Sequence, residues 1–456
     1  MKLHFSGVGG NGMSALAQMH AMSGDEISGS DRLLDRGSDK LPIWDCLSAL
    51  GVKFTPQDGS GIRAGLDALV LSTAIENDSP EIARARELGV KTIHRAELLA
   101  RHVAQFKTAA ITGTSGKSTT TAMVFEILEH AGMSPSLITG GAALSLQKRG
   151  LWGNVFRGKS DILVIEADES DGSLVSYRPA TAAILNLTKD HKEIDVLAGY
   201  FRRFMDNCGR TVVNADDPAL AEFSAKAAAT YGFEKGGMRA RMTGMDGFSS
   251  RFEINGVNFE LNHPGLHNAA NALAACALCA QSGVPLETCA SALKSFGGVS
   301  RRFESAGRAR GVEVIDDFAH NPAKISAALA AAQLRGRRVL SFYQPHGFAP
   351  VRLLKRELIE AFAAGVRKGD IVWFPDIYYV GGTADKSVSS KELADALSAR
   401  GTDARYNPDK NRIAAEIAAA AADGDVVMVM GARDPDLSAY AKTVLETVAS
   451  SNSANS

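Results

Sequence analysis

Gly113-Thr114-Ser115-Gly116-Lys117-Ser118 lies between an apolar run and a helical pattern, and its residue types suit phosphate. Backbone N–H groups of such a loop point at phosphate oxygens, and the following helix N-terminus adds positive potential. Lys117 can reach the β- and γ-phosphates, and the Ser118 hydroxyl can ligate Mg²⁺. The full phosphate-loop pattern requires glycine five residues before Gly116, where this chain has Ile111. The match is therefore to a shorter G-T-x-G-K-[ST] form.

Other residues could join this chemistry. Glu166-Ala-Asp168-Glu169-Ser-Asp171 ends an apolar strand, where carboxylates either hold Mg²⁺ beside a nucleotide or form a solvated acidic loop. A neighbouring strand, Ala182–Leu187, carries Asn186 near its end, and the pair Asp190-His191 follows; an acid–histidine pair there is a second metal site or a surface turn. Gly7-x-Gly9-x-x-Gly12 with Asp31, 19 residues past Gly12, fits a dinucleotide fingerprint, whose physical content is a turn and helix N-terminus able to accept any diphosphate. Asn268 and Asn271 open a helix, where amides either read a base edge or cap the helix. Arg301-Arg302-Phe303 precedes a strand ending in Asp316-Asp317, and arginine suits phosphate while acids at a strand end suit ribose hydroxyls or a metal-bound amine.

Short apolar runs alternate with longer helical patterns, the signature of α/β architecture with largely parallel sheets. Three blocks emerge, at 1–105, 106–297 and 298–450, with a polar tail at 451–456. The first carries strands at Leu3–Ser6, Ile27–Ser30 and Ala68–Ser72, and helices from about Gly12 and over Pro80–Leu88. The second carries strands at Thr108–Thr112, Ile162–Ile165, Ala182–Leu187 and Thr211–Asn214, a hairpin at Arg251–Leu261 turning on Asn255-Gly256, and the helix His267–Gln281. The third carries strands at Val312–Ile315, Arg338–Phe342, Ile371–Phe374 and Val426–Met430.

Lys and Arg number 50 against 51 Asp and Glu, a balance that gives no reason to expect nucleic-acid or membrane binding. The five cysteines are scattered, which argues for a reducing compartment; Cys276 and Cys279 sit in an apolar helical run and are expected to be core residues. Neither a signal peptide nor a membrane span is expected, and the cytoplasm is the expected location.

Taken together and in order, these pieces resemble the Mur ligase family of bacterial cell-wall synthesis. The resemblance rests on G-x-G-G-x-G-M-S at 7–14, T-G-T-S-G-K-S-T-T-T at 112–121, E-A-D-E-S-D at 166–171, D-H at 190–191, H-N-x-x-N at 267–271, R-R-F-E at 301–304 and D-D-F-A-H-N-P at 316–322. Two branches are nearest: ligases adding L-alanine to UDP-N-acetylmuramate, and ligases adding a recycled murein tripeptide. The resemblance implies a Rossmann-like N-terminal domain for the UDP-sugar, a central phosphate-loop ATPase domain with a mostly parallel sheet, and a Rossmann-like C-terminal domain. It implies ATP and Mg²⁺, an acyl phosphate, and release of ADP and phosphate. Gly113, Thr114, Gly116, Lys117, Ser118, Thr119, Asn268, Asn271 and Arg302 would hold the nucleotide. Ser118, Glu166 and His191 would ligate metal, and Lys117, His191, Arg302, Asp317 and His320 would be catalytic. Gly9, Gly10, Asn11, Gly12, Met13, Ser14, Asp31, His346 and Arg352 would meet the UDP-sugar and the amine, an amino acid or peptide. A monomer or homodimer is expected. After Gln344-Pro345-His346 the alanine branch carries several arginines; here Gly347-Phe-Ala-Pro-Val-Arg352 leaves one, so the amine stays open.

Overall fold

The computed structural model describes residues 1–37, 42–72, 74–188, 193–379 and 385–451. It resolves into two compact units. One comprises Met1–Arg241, Phe252–Glu260 and Ala270–Gly297; the other comprises Met242–Arg251, Leu261–Ala269 and Gly298–Ser456.

The N-terminal block is a five-stranded sheet of β1 (Lys2–Ser6), β2 (Glu26–Ser30), β3 (Lys53–Phe54), β4 (Ala68–Leu71) and β5 (Thr92–His94), in the order β3-β2-β1-β4-β5. All four pairings are parallel. The apolar run Ala68-Leu-Val-Leu71 fits a strand covered on both faces. Helix Asn11–Met22 packs one side of this sheet and is buried along most of its length. Helices Pro42–Ala49 and Arg95–Gln105 lie against it.

The central sheet contains β6 (Lys107–Thr112), β7 (Ser136–Ile138), β8 (Val155–Phe156), β9 (Ile162–Glu166), β10 (Thr181–Ile184), β11 (Arg210–Asn214), β12 (Ala229–Gly232), β13 (Met238–Met245), β14 (Ser250–Ile254) and β15 (Val257–Leu261). Its order is β15-β14-β13-β12-β11-β10-β6-β9-β7-β8. Strand β6 runs parallel to both β9 and β10, so the phosphate loop leaves the carboxyl end of a central strand flanked by two others. Crevices for ligands form at such ends. The β14–β15 turn falls on Asn255 and Gly256, both at positive φ, as their types require.

The C-terminal sheet has β16 (Glu304–Ala309), β17 (Val312–Asp317), β18 (Val339–Tyr343), β19 (Ile371–Phe374), β20 (Ala404–Tyr406) and β21 (Val426–Met430), ordered β16-β17-β21-β18-β19-β20. Only the β16 edge pairs antiparallel. Fully buried Phe342, Trp373, Phe374 and Met428 lie within its two hydrophobic layers.

One expected element is shorter than its apolar run. The strand read over Ala182–Leu187 pairs only as far as Ile184, and Leu185 to Thr188 leave the ladder to wrap the phosphate loop. Hydrophobicity continues past Ile184 because Leu185 and Leu187 are still buried, so the run gives no sign of where pairing stops.

Candidate nucleotide and ligase site

Three adjacent strand ends build the phosphate-loop cluster. Helix Lys117–His130 begins directly after Gly116, whose φ of +85° places it in the left-handed region. A side chain there would be strained and would overlap the Asn271 amide oxygen, so the position requires glycine. Lys117 curls back over the loop: its Nζ donates to the Gly113 carbonyl at 2.8 Å and to Glu169 Oε2 at 2.7 Å, with Asp168 Oδ1 at 3.5 Å. Burial alone would push the Lys117 ammonium down, but the charges of Glu169, Asp168 and Glu166 outweigh it and raise it, so Lys117 stays cationic. Burial pushes the Glu169 carboxyl up against the pull of Lys117. Asp168 is more than half exposed; burial raises its carboxyl, and Lys117 with Ser170 more than reverses that.

Asn186 locks the loop. Its Oδ1 accepts from Thr114 Oγ1 and the Ser115 N–H, both at 2.8 Å, and its Nδ2 donates to the Ser115 carbonyl at 3.0 Å. Glu166, the last residue of β9, accepts from Thr139 Oγ1 at 3.0 Å and the Gly140 N–H at 2.8 Å. Ser118 is buried in the first helical turn beside the loop. Asp190 and His191 lie outside the described residues. Asn268 and Asn271 sit one turn apart on helix Leu266–Ala280; Asn268 Nδ2 donates to the Pro264 carbonyl at 2.8 Å, and Asn271 faces Gly116.

The glycine loop at residues 7–14 is tied to β2. The Gly7 and Val8 N–H groups donate to the Ser30 carbonyl, and the Gly9 N–H donates to Asp31 Oδ2 at 2.9 Å. Asp31 Oδ1 accepts from the Leu33 N–H, so both carboxylate oxygens are holding backbone. A Cβ at Gly9 would overlap the Trp44 ring, which accounts for glycine there. Asn11, Met13 and Ser14 follow within the first turn of helix Asn11–Met22.

In the second unit, Arg302 lies over the Phe318 ring, its Cζ 4.7 Å from the centroid. Its neighbours Arg301 and Phe303 both have positive φ, +59° and +54°, an uncommon backbone for such side chains. Asp317 Oδ2 accepts from the Phe303 N–H and Oδ1 from the Ala319 N–H, both at 2.7 Å. Burial raises the Asp317 carboxyl, against the opposing charge of Arg302 and these two N–H bonds. His320 Nδ1–H donates to the Phe318 carbonyl at 2.9 Å, and its ring stands 5.6 Å from that of His346. Arg352 is engaged with Asp385 at 2.8 Å. The structure thus gathers Lys117, Ser118, Glu166 and Asn271 in one place, and Arg302, Asp317, His320 and His346 in another. Sequence reasoning assigned no role to the Asn186 clamp and no pairing of Glu169 with Lys117; a polar residue near the end of the apolar run next to the phosphate loop was the available signal.

A phosphate loop on a parallel strand, walled by acids from the adjacent strand, defines a nucleotide-binding α/β protein. The Mur ligase family, catalytic domain model matches residues 2–107, the Mur ligase middle domain model matches 111–279, and the Mur ligase, glutamate ligase domain model matches 301–433. The UDP-N-acetylmuramate–L-alanine ligase of Pelobacter propionicus is 33% identical over 451 residues, covering 94% of this chain and 95% of that protein. The enzyme of the same name from Paenarthrobacter aurescens is 36% identical, covering 98% and 97%. Among solved structures, the UDP-N-acetylmuramate–alanine ligase of Thermotoga maritima superposes with a TM-score of 0.80 at 28% identity, over 98% of each chain. A murein peptide ligase from Psychrobacter arcticus, at 22% identity and a TM-score of 0.70, shares the fold. The chain belongs to the Mur ligase family. The expected fold class, three α/β domains with parallel-rich sheets, holds. No described helix is long and apolar enough to cross a membrane.

Proposed function

We propose that this chain joins L-alanine to UDP-N-acetylmuramate at the expense of ATP, in peptidoglycan biosynthesis. Similarity along nearly the whole chain to ligases of that activity carries the reading. In the first step a carboxylate oxygen of the sugar attacks the γ-phosphorus, the bond to the β-phosphate oxygen breaks, and an acyl phosphate and ADP form. In the second the amine nitrogen attacks the acyl carbon, phosphate leaves, and the nitrogen gives up a proton. Each step brings anions together, so fixed positive charge is what the protein must supply.

Lys117 supplies it at the γ-phosphate, handed over from Glu169 and Asp168, and Arg302 at the transferred phosphoryl oxygens. Gly113, Thr114, Gly116 and Thr119 cradle the nucleotide, with Asn268 and Asn271 beside it. His320, its Nδ1 tied to the Phe318 carbonyl, takes the amine proton at Nε2, while Asp317 orders the Arg302 segment. The 7–14 loop holds the UDP diphosphate, with Asp31 fixing that loop through the Gly9 N–H on the UDP-sugar side, and His346 and Arg352 meet the amine. Residues 1–105, 106–297 and 298–450 are the proposed sugar, nucleotide and ligase blocks.

Mg²⁺ fits the phosphate-loop cluster. Ser118 and Glu166 offer hard oxygen donors, and among the described residues no group of three or more His, Cys, Asp or Glu side chains is placed to hold a metal ion by itself. Such a sparse set suits an ion that draws most of its shell from phosphate oxygens and water. Ser118 and Glu166 would hold it, with His191 proposed beside a second ion, and it would neutralise charge developing on the phosphates.

The test is incubation with ATP, UDP-N-acetylmuramate and single amines, reading product mass and ADP. The expected product is the L-alanine adduct. Adduct with a peptide and none with alanine would overturn the choice of amine; ADP release independent of any amine would overturn the ligase step.

A further inference from the structure

A carboxylate that no proposed step uses is buried beneath the glycine loop. Glu81, in the first turn of helix Pro80–Glu87, is 0% exposed. Its Oε1 accepts from Ser30 Oγ at 2.6 Å and from His4 Nε2 at 2.9 Å, and its Oε2 accepts from Ser6 Oγ. His4 Nδ1 is in turn 2.8 Å from Ser28 Oγ, and Gln57 Nε2 donates to Ser6 Oγ at 3.2 Å. Burial would raise this carboxyl, but the bonds from His4, Ser30 and Ser6 reverse it and hold it low.

Ser6 and Ser30 end β1 and β2, and they are register partners across the parallel pair. One carboxylate therefore clasps two adjacent strand ends. Those ends carry the anchors of the loop: the Ser30 carbonyl accepts from the Gly7 and Val8 N–H groups, and Asp31, the next residue, accepts from the Gly9 N–H. A buried acid–histidine pair is poor value as stability alone, because apolar side chains of similar volume do as well or better. Polar groups that fix a loop's donors are better explained by what the loop must bind.

We propose that Glu81 is a positioning residue for the UDP-sugar, setting the glycine loop through Ser30 and Ser6. This rests on the reading that the 7–14 loop takes the UDP diphosphate. The link is one-sided: the clasp holds the β1 and β2 ends and makes no bond to the phosphate loop. Loss of Glu81 therefore separates the two substrates, which a general loss of stability would not.

Steady-state kinetics of Glu81→Gln and Ser30→Ala test this. For each, KM for UDP-N-acetylmuramate rises about tenfold, less than the ~10²-fold attached to a 1 Å misplacement, while KM for ATP moves by less than about twofold. Ser30→Ala removes one hydroxyl and leaves the packing, so it decides the matter if Glu81→Gln does not fold. Unchanged constants for both substrates, or both constants rising together as the melting temperature falls, would overturn the positioning role. Wild-type protein that turns over ATP only with a different acid would instead overturn the sugar reading, and the proposal with it.

Discussion

The Lys117 ammonium reaches Glu169, Asp168 and the Gly113 carbonyl at once, so substituting it removes a loop contact as well as a charge. Lys117→Ala is expected to lower turnover by ~10²–10³-fold, the usual cost of one lost transition-state donor. The fold should survive, because Glu169, already shifted up by burial, can take a proton once its partner is gone. Turnover near wild type, with circular dichroism unchanged, would remove Lys117 from the chemistry. Glu166→Gln keeps an acceptor for Thr139 and Gly140 and loses only charge, so it should raise the Mg²⁺ concentration for half-maximal rate by roughly tenfold, the worth of one charge-assisted contact of about 1.5 kcal/mol. An unchanged Mg²⁺ titration would take Glu166 out of the metal shell. Lys117 and Ser118 were legible in the sequence because their spacing is local to one strand–loop–helix unit, and Glu166 because it ends the apolar run of β9. Asn186 and Glu169 were not, because their partners lie 71 and 52 residues away and meet only when β9, β6 and β10 lie side by side.

The long strands and helices were legible for the same physical reason: a run of apolar residues, or one of period 3.6, marks a buried strand or helix face. Two- and three-residue strands such as β3 and β5 carry no period. Helices Asn11–Met22 and Arg95–Gln105 meet through a feature no pattern shows. His102 Nε2 is 3.0 Å from His20 Nε2, and His20 Nδ1 is 2.6 Å from Asp25, which also pairs with the N-terminal amine. Burial, with the nearby His20, pushes His102 down to about 4. A histidine depressed in the folded state binds fewer protons than in the unfolded chain, where it titrates near 6.5. Its contribution is therefore complete above pH 6.5 and is lost as pH falls through 4, at a cost of about 3 kcal/mol. His263, pushed down to about 4 by burial and by Arg335, acts in the same direction. Denaturant midpoints should fall steadily between pH 6.5 and 4, and His102→Gln should flatten that slope. An identical slope in the variant would show that His102 is not the titrating group.

At the scale of the whole molecule, the N-terminal block and most of the central block belong to one compact unit, although the sequence divides them near residue 105. Buried Gln18 donates to Asn154 Oδ1 at 3.1 Å, and Arg95 at the head of its helix pairs with Asp171 at 2.8 Å. The second bond ties the N-terminal block to the acidic stretch that also carries Glu166, Asp168 and Glu169. Composition and periodicity cannot show such docking, since it joins two patterns each complete in itself. Docked elements tend to open as one cooperative unit, and a ligand raises the free energy of every opening that destroys its site. UDP-N-acetylmuramate at about 100 times its dissociation constant should add ~2.7 kcal/mol, which slows exchange through that opening about 100-fold. Hydrogen–deuterium exchange should therefore show protection by UDP-N-acetylmuramate alone in helix Lys117–His130 as well as in helix Asn11–Met22. A non-hydrolysable ATP analogue should protect both in return, because coupling between two sites is reciprocal. Protection by the sugar confined to residues 1–105 would mean that the two blocks open independently and that the Gln18 and Arg95 bonds do not couple them.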